Sequence, residues 1–190
     1  MGKIIMDINI KNDLRRYTSN LGKISFLKHI IIRPQFRYMY IKRKCNKYRV
    51  NNKKIMFNLF RLLLKRYQVK FGIEIPYETN IDGGFYIGHI GGIVINAKSK
   101  IGKNVNILNG VLIGYEPRGE RKGCPIIGNN VWIGTNSVIV ENINIGNNVL
   151  IAPNSFVNFS VPNNSIVIGN PAKVIERIQD PTLGYINNKI

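Results

Sequence analysis

Few side chains in this sequence could move a proton near neutral pH. The chain holds two histidines, His29 and His89, and two cysteines, Cys45 and Cys124. Histidine is the side chain whose ordinary pKa places its charge change between about pH 5 and 8. His89 stands in Phe85-Tyr-Ile-Gly-His-Ile-Gly-Gly-Ile-Val94, among glycines and β-branched residues. Two readings compete there: a core imidazole satisfied by backbone, or a base open to substrate. His29, in Ser25-Phe-Leu-Lys-His-Ile-Ile-Ile-Arg-Pro34, has the setting of a helix-packing residue. The cysteines lie in dissimilar segments and form no disulfide framework, so a reducing cytoplasm is the expected compartment. Cys124 could act as a thiolate nucleophile or be a small loop residue, and the second reading needs fewer assumptions.

The element that positions His89 is an internal repeat. Aliphatic residues return every six positions from residue 75: IPYETN, IDGGFY and IGHIGG, then INAKSK from 95, IGKNVN, ILNGVL and IGYEPR. The series resumes at 127 with IGNNVW, IGTNSV, IVENIN, IGNNVL, IAPNSF and VNFSVP. A six-residue period cannot be a helix. It fits a short strand plus a turn, three of which close one triangular coil. The leading Ile points inward and stacks on the coil above, and the small fifth residue also faces the interior. Gly and Asn take the corners, where left-handed backbone costs least. The phase breaks twice. Ile87 and Ile95 stand eight apart, and His89 lies inside that break. Ile113 and Ile127 stand 14 apart, two more than a double hexad, across the polar stretch YEPRGERKGCPI. Loops that leave a rigid solenoid commonly carry its function.

The ends of such a solenoid need cover. At 190 residues the chain suits one ordinary domain with an appendage. Residues 1–70 hold 19 Lys/Arg against Asp7 and Asp13, a net of +17, while residues 71–190 hold 9 Lys/Arg against 8 Asp/Glu, a net of +1. We expect a basic α-helical segment over 1–72, the coil over 73–175 and a C-terminal tail over 176–190. Residues 51–72 read as an amphipathic helix capped by Asn51 or Asn52 and ended by Gly72, with Ile55, Met56, Leu59, Leu62, Leu63 and Tyr67 on its apolar face. A shorter helix is expected after the cap Asp13, and another from Pro34 through Arg43. The basic surface suits acidic polysaccharide or an anionic membrane face. Tyr38, Tyr40 and Tyr48 interleave with its cations, but no nucleic-acid-binding motif accompanies them, so no nucleic acid is expected. No run of eighteen uncharged apolar residues and no signal peptide is read, so no span is expected.

The hexads, closed by Gly-Asn-Pro-Ala-Lys-Val-Ile at 169–175, resemble the hexapeptide-repeat acyltransferases. The nearer likeness is to their serine acetyltransferase-like branch, which includes enzymes that O-acetylate bacterial surface polysaccharides. It is strong over 71–175 and loose over the N-terminal segment. The resemblance implies a mainly β fold, a left-handed parallel β-helix behind a small helical domain, which is the exception to the usual crossover hand. It implies a homotrimer and acetyl-CoA as co-substrate. It places His89 as general base, oriented by Glu74 in Gly72-Ile-Glu-Ile-Pro76, fifteen residues earlier, near one coil of three hexads. By the same likeness CoA would meet Gly134, Ala152 and Asn170, with Lys173 at a phosphate. Related metal-dependent members need three histidine ligands, so no metal is expected.

Two departures bear on the acceptor. Serine acetyltransferases carry an acid just before the catalytic His, to recognise the amino group of serine, and an Arg-His pair before a loop proline. Here those positions are Gly88 and Gly123-Cys124-Pro125. Arg118, Arg121, Lys122 and Cys124 remain as acceptor-side candidates. The expectation is therefore acetyl transfer to a hydroxyl of a capsular or other cell-surface polysaccharide. Serine O-acetylation for cysteine biosynthesis is the alternative, and a non-catalytic solenoid binding polyanion or membrane is a third reading. The expected location is cytoplasmic, with residues 1–70 able to touch the inner face of the membrane.

Overall fold

A computed structural model describes residues 7–190; the first six residues of the expected basic segment lie outside the described residues. Four helices come first: α1 Ile8–Arg15, α2 Lys23–Ile32, α3 Pro34–Val50 and α4 Lys54–Phe71. Fifteen short strands follow and form three sheets. The first sheet stacks β1 Ile73–Glu74, β4 Ile93–Ile95, β7 Leu112–Ile113, β10 Val138–Ile139 and β13 Phe156–Val157. The second stacks β2 Asn80–Ile81, β5 Lys100–Ile101, β8 Ile126–Ile127 and β11 Asn144–Ile145. The third stacks β3 Tyr86–Ile87, β6 Asn106–Ile107, β9 Trp132–Ile133, β12 Leu150–Ile151 and β14 Ser165–Ile168, and ends with β15 Lys173–Glu176, antiparallel to β14. The other ladders are parallel, and the whole is a parallel β-helix of about five coils.

The hexad register is the packing register. The leading residues Ile87, Ile107, Ile113, Ile133, Ile139, Ile151 and Val157 are fully buried, and so are the fifth-position residues Val105, Val111, Val131 and Ser137. At one corner Asn104, Asn130, Asn148 and Asn164 all take positive φ, between 54° and 56°. Their amides join into a ladder: Asn104 Nδ2 donates to Asn130 Oδ1 at 3.0 Å, Asn130 to Asn148 at 3.0 Å, and Asn148 to Asn164 at 2.9 Å. Asn tolerates the left-handed region, and its amide satisfies the coil above.

The two phase breaks become excursions of unequal size. In the first sheet Ile95 pairs with Ile113, and Ile139 with Val157, a rise of 18 residues per coil. Ile73 pairs with Ile93, a rise of 20, and Ile113 with Ile139, a rise of 26. The second break therefore adds eight residues to one strand step, not two to a double hexad. IGYEPR looks like a repeat because of Ile113 and Gly114, but the chain leaves the coil directly after that strand.

Caps and faces in the helical segment differ from the sequence expectation. Asp7 caps α1, its carboxylate accepting from Asn9 N–H at 3.0 Å. Asp13 lies inside α1, where a tertiary partner takes its side chain: Arg43 donates to it from Nε at 2.5 Å and from Nη2 at 2.9 Å. Asn51 closes α3, which runs on to Val50, and α4 starts after Lys53 without a side-chain cap. Gly72 does end α4, in left-handed conformation at φ 61°. α2 buries His29, whose Nδ1 bonds the Ser25 carbonyl at 2.7 Å. The α4 face is divided: Leu64 and Phe71 are buried, whereas Ile55, Leu59 and Leu62 are exposed.

Helices and coil share one core. Tyr38, Met39, Ile41, Leu64 and Phe71 pack with the first coil's Ile73, Ile75 and Ile81. Tyr38 Oη donates to the Ile75 carbonyl and accepts from Ile75 N–H, both at 3.0 Å. Beyond β15 the last residues return along the third sheet. The Tyr185 ring lies 5.0 Å from that of Trp132, Arg16 Nε donates to the Asn187 carbonyl at 2.8 Å, and Ile190 N–H donates to Asn104 Oδ1 at 3.0 Å. The expected tail is thus a strap, from the last coil back to α1.

Candidate active site

The edge between the third and first sheets carries the site. Its corners are residues 88–92, 108–111, 134–137, 152–155 and the closing turn 169–172. His89, Gly134, Ala152 and Asn170 all fall on this one edge, on successive or near-successive coils. Hydrogen bonds run up it. Gly110 N–H donates to the Gly91 carbonyl at 2.9 Å, Asn136 N–H to Asn109 at 3.1 Å, Asn154 N–H to Thr135 at 2.9 Å and Phe156 N–H to Gly169 at 3.1 Å. Lys173 starts β15 just past the top of the edge, exposed and opposite Ile168.

The two extra residues of the first break fall at the lowest corner, and they turn His89 outward. His89 is exposed, between the buried Ile87 and Ile93, so it is not a core imidazole. Gly91 follows at φ 106°, with open space where a Cβ would point, and Gly92 at φ 67°. Three non-local contacts hold the corner from behind. Gln35 Nε2, on α3, donates to the Gly88 carbonyl at 3.1 Å, Tyr17 Oη donates to the Ile87 carbonyl at 3.3 Å, and Gly88 N–H donates to Ile107 at 2.9 Å. The hexad pattern carries no signal for Gln35 or Tyr17, because both reach the corner from the helical segment.

Glu74 is exposed on β1, but it does not stack under His89. Its register partner one coil up is Val94, because this coil is 20 residues long. Gly72 sits under the glycine pair: a Cβ there would lie 3.2 Å from Gly91 Cα and Gly92 N. Glu74 comes two residues after Gly72, and His89 two before Gly91, so the two flank one backbone contact. Among the described residues no hydrogen bond joins them. A cavity of about 360 Å³ lies beside that contact, lined by Lys65, Gln68 and Val69 of α4 with Glu74, Gly92 and Val94.

Gly134 has no space for a side chain. A Cβ there would stand 2.6 Å from Pro153 N, and its N–H donates to Ile151 at 2.8 Å. Ala152 N–H donates to Val167 at 2.8 Å. At these two corners Gly134 and Ala152 therefore project no long side chain from the edge.

The loop of residues 114–125 leaves from a different edge, between the first and second sheets. Glu116 and Gly123 bridge it as a hairpin, with N–H···O distances of 2.9 and 3.0 Å. Within one chain, therefore, Arg118, Arg121, Lys122 and Cys124 do not meet His89. Arg121 is already engaged: it forms an ion pair with Glu141 of the following coil, and its carbonyl takes the Asn142 N–H at 2.8 Å. Arg118 and Lys122 are exposed. Cys124 is buried, its thiol donating to Asn96 Oδ1 at 3.3 Å, and burial pushes its pKa up. A thiol held neutral in this way is a poor nucleophile, which removes that reading. No group of three His, Cys, Asp or Glu residues suited to a metal ion occurs among the described residues.

The parallel coil of six-residue steps agrees with a hexapeptide-repeat match. A family profile for the bacterial transferase hexapeptide (six repeats) matches residues 124–158. By fold and repeat the chain is similar to the hexapeptide-repeat acyltransferases. Within them it is similar to serine acetyltransferases. It is 37% identical over 143 residues to serine acetyltransferase 2 of Arabidopsis thaliana, covering 72% of this chain and 44% of that protein. It superposes on the Neisseria gonorrhoeae serine acetyltransferase in complex with serine with a TM-score of 0.72 at 28% identity, covering 87% of this chain and 67% of that one. The Brucella abortus serine acetyltransferase in complex with coenzyme A gives a TM-score of 0.75 at 25% identity, covering 90% and 68%. The chain spans about half the length or less of the first curated relatives it matches, 44% and 35%.

Proposed function

We propose that this chain is an acetyl-CoA-dependent O-acetyltransferase with His89 as its general base. The observation that carries this is the single edge on which an outward imidazole stands at the lowest corner, below the corners that carry Gly134, Ala152 and Asn170. An extended thioester lying along that edge would bring its acyl end to the histidine. The imidazole takes the proton of an acceptor hydroxyl, whose oxygen attacks the thioester carbonyl. The tetrahedral intermediate collapses with loss of the CoA thiolate, which takes the proton back from the imidazolium. The products are an acetyl ester and CoA thiol. In this proposal Glu74, across the Gly72–Gly91 contact, orients the imidazole and stabilises its charged form during the reaction. Lys173, at the top of the edge, is free to meet a phosphate of CoA.

Serine is the first acceptor to test, because the relatives are serine acetyltransferases. A second reading, a sugar hydroxyl of a surface polysaccharide, is supported by a specific feature. Gly88 offers no carboxylate for an ammonium group, and Leu108 occupies the space beside it. A neutral hydroxyl acceptor needs no such carboxylate.

The working form in this proposal is a homotrimer. The outward residues of the first sheet, Val94, Leu112, Val138 and Phe156, stack in register as a half-buried apolar ladder suited to a second copy. Assembly of that kind would bring the 114–125 loop of one subunit towards the His89 edge of the next. The decisive experiment is thiol release from acetyl-CoA with serine and with acidic oligosaccharides in parallel, alongside sedimentation analysis. Turnover abolished by His89→Ala supports the proposal. Turnover with neither acceptor overturns it in favour of a non-catalytic solenoid, and turnover unaffected by His89→Ala overturns the assignment of His89 as the base.

A further inference from the structure

We propose that α2 and α4 form a docking surface for an anionic lipid bilayer. α2 is apolar on both faces, yet only one face is covered. Inside, His29 is buried and Phe26 packs edge-on against Phe36 at 6.0 Å. Outside, Ile24 is 85% exposed, and Leu27, Ile31 and Ile32 are exposed with it. A helix that is hydrophobic all round belongs in a core or a membrane phase. α4 repeats the pattern, exposing Ile55, Leu59, Leu62 and Val69, a stripe spaced four, three and seven residues apart. Exposed apolar stripes of this kind mark interaction sites.

The charges decide the partner. Lys23 and Lys28 flank the α2 stripe, and Lys54, Arg61, Lys65, Arg66 and Lys70 flank the α4 stripe, all exposed. α2, α3 and α4 contain no Asp or Glu, and Asp13 of α1 is buried against Arg43. A second copy would cover the isoleucines but would press two acid-free cationic surfaces together. A soluble polyanion would satisfy the cations but leave the isoleucines in water. An anionic bilayer surface does both, taking apolar side chains at the acyl boundary and cations among the headgroups. No described helix is long and apolar enough to cross a membrane, so the contact lies along the surface.

The test is flotation of the full chain with phosphatidylcholine vesicles, with and without about 30% phosphatidylglycerol, at low and high salt. Wild type is expected to float with the anionic vesicles, at least about tenfold more tightly than with neutral ones, and to release as salt rises. The variant Ile24→Ser/Leu27→Ser/Ile31→Ser should lose at least about tenfold while keeping its melting temperature. Should that variant fold poorly, Lys23→Glu/Lys28→Glu, at exposed positions, should lose binding to the same degree. Absence of vesicle binding, binding by both variants as tight as that of wild type, or a wild-type assembly that the serine variant splits into smaller species would each overturn the proposal. So would heparin binding without vesicle binding. Thiol release from acetyl-CoA is a separate readout, so failure here is distinguishable from failure of the acyl-transfer proposal.

Discussion

Leu108 lies over Gly88, so close that a Cβ on Gly88 would collide with its Cδ2. The colliding atom is the end of a side chain, not backbone, so the obstacle can be removed. In Leu108→Ala, the further change Gly88→Asp would place a carboxylate beside His89. A charge-assisted hydrogen bond contributes about 1.5–3 kcal/mol. The expected outcome is a serine KM lowered by about 10- to 100-fold relative to Leu108→Ala alone, with the KM for acetyl-CoA unchanged. An unaltered serine KM would show that the Gly88 corner does not face the amino group.

His89→Ala should reduce kcat for thiol release by about 10²- to 10⁴-fold, the usual contribution of a positioned general base. Because His89 is exposed, the same change should leave unfolding free energy within about 0.5 kcal/mol. A denaturant titration beside the rate assay separates the chemical role from a structural one.

Cys124→Ser should retain activity within a few-fold, since the buried thiol only donates to Asn96 Oδ1. In wild type, burial holds the thiol above its ordinary pKa, so alkylation of Cys124 by iodoacetamide should be slow near neutral pH. Rapid, inactivating alkylation at pH 7 would restore the nucleophile reading.

The coil was legible in the sequence for a direct reason. Each leading Ile is both the repeat signal and the buried strand residue, so periodicity and packing report the same fact, as at Ile107 and Ile133. His89 was legible as a break in that phase. What escaped notice depends on contacts distant in sequence. Asp13 resembles a helix cap, yet Arg43 claims it from thirty residues away. Gln35 reaches Gly88 across 53 residues. The ion pair of Arg121 with Glu141, twenty residues on, follows from the coil and not from the local sequence. The spacing of Glu74 and His89 suggested stacking because a coil was counted as three uniform hexads. The two residues that free His89 also shift that count.

Asp13 fixes α1 and α3 to the first coil. Its carboxylate takes Arg43, and it accepts the N–H groups of Gly84 and Phe85, both at 3.0 Å. Asp13→Ala leaves the Arg43 guanidinium buried without its anion. Breaking a buried pair from one side costs about 3–5 kcal/mol. Chemical denaturation should show a loss of that size, while Asp7→Ala, at a half-buried cap, should cost about 1 kcal/mol.

Lys42 makes stability depend on pH in a predictable direction. Its ammonium is buried and donates to the Thr79 carbonyl at 2.6 Å. Burial, reinforced by the neighbouring Arg43 charge, lowers its pKa to about 7, against 10.5 for an ordinary lysine. Asp13 and Glu78 oppose the shift but do not cancel it. Between those two values the unfolded chain holds a proton on Lys42 that the folded chain has lost. Stability therefore rises with pH across this window, by up to about 1.4 kcal/mol per pH unit from this group. Below pH 7 both states are protonated and the contribution flattens. Lys42→Met removes the group while retaining its apolar stem. The difference in unfolding free energy between wild type and Lys42→Met should therefore move in favour of wild type as pH rises from 7 to 9.5. Tyrosines pushed above their ordinary range, such as Tyr38 at about 12, titrate outside most of that interval and cancel in the difference. A difference that stays flat from pH 7 to 9.5 would mean that Lys42 keeps its proton in the folded state.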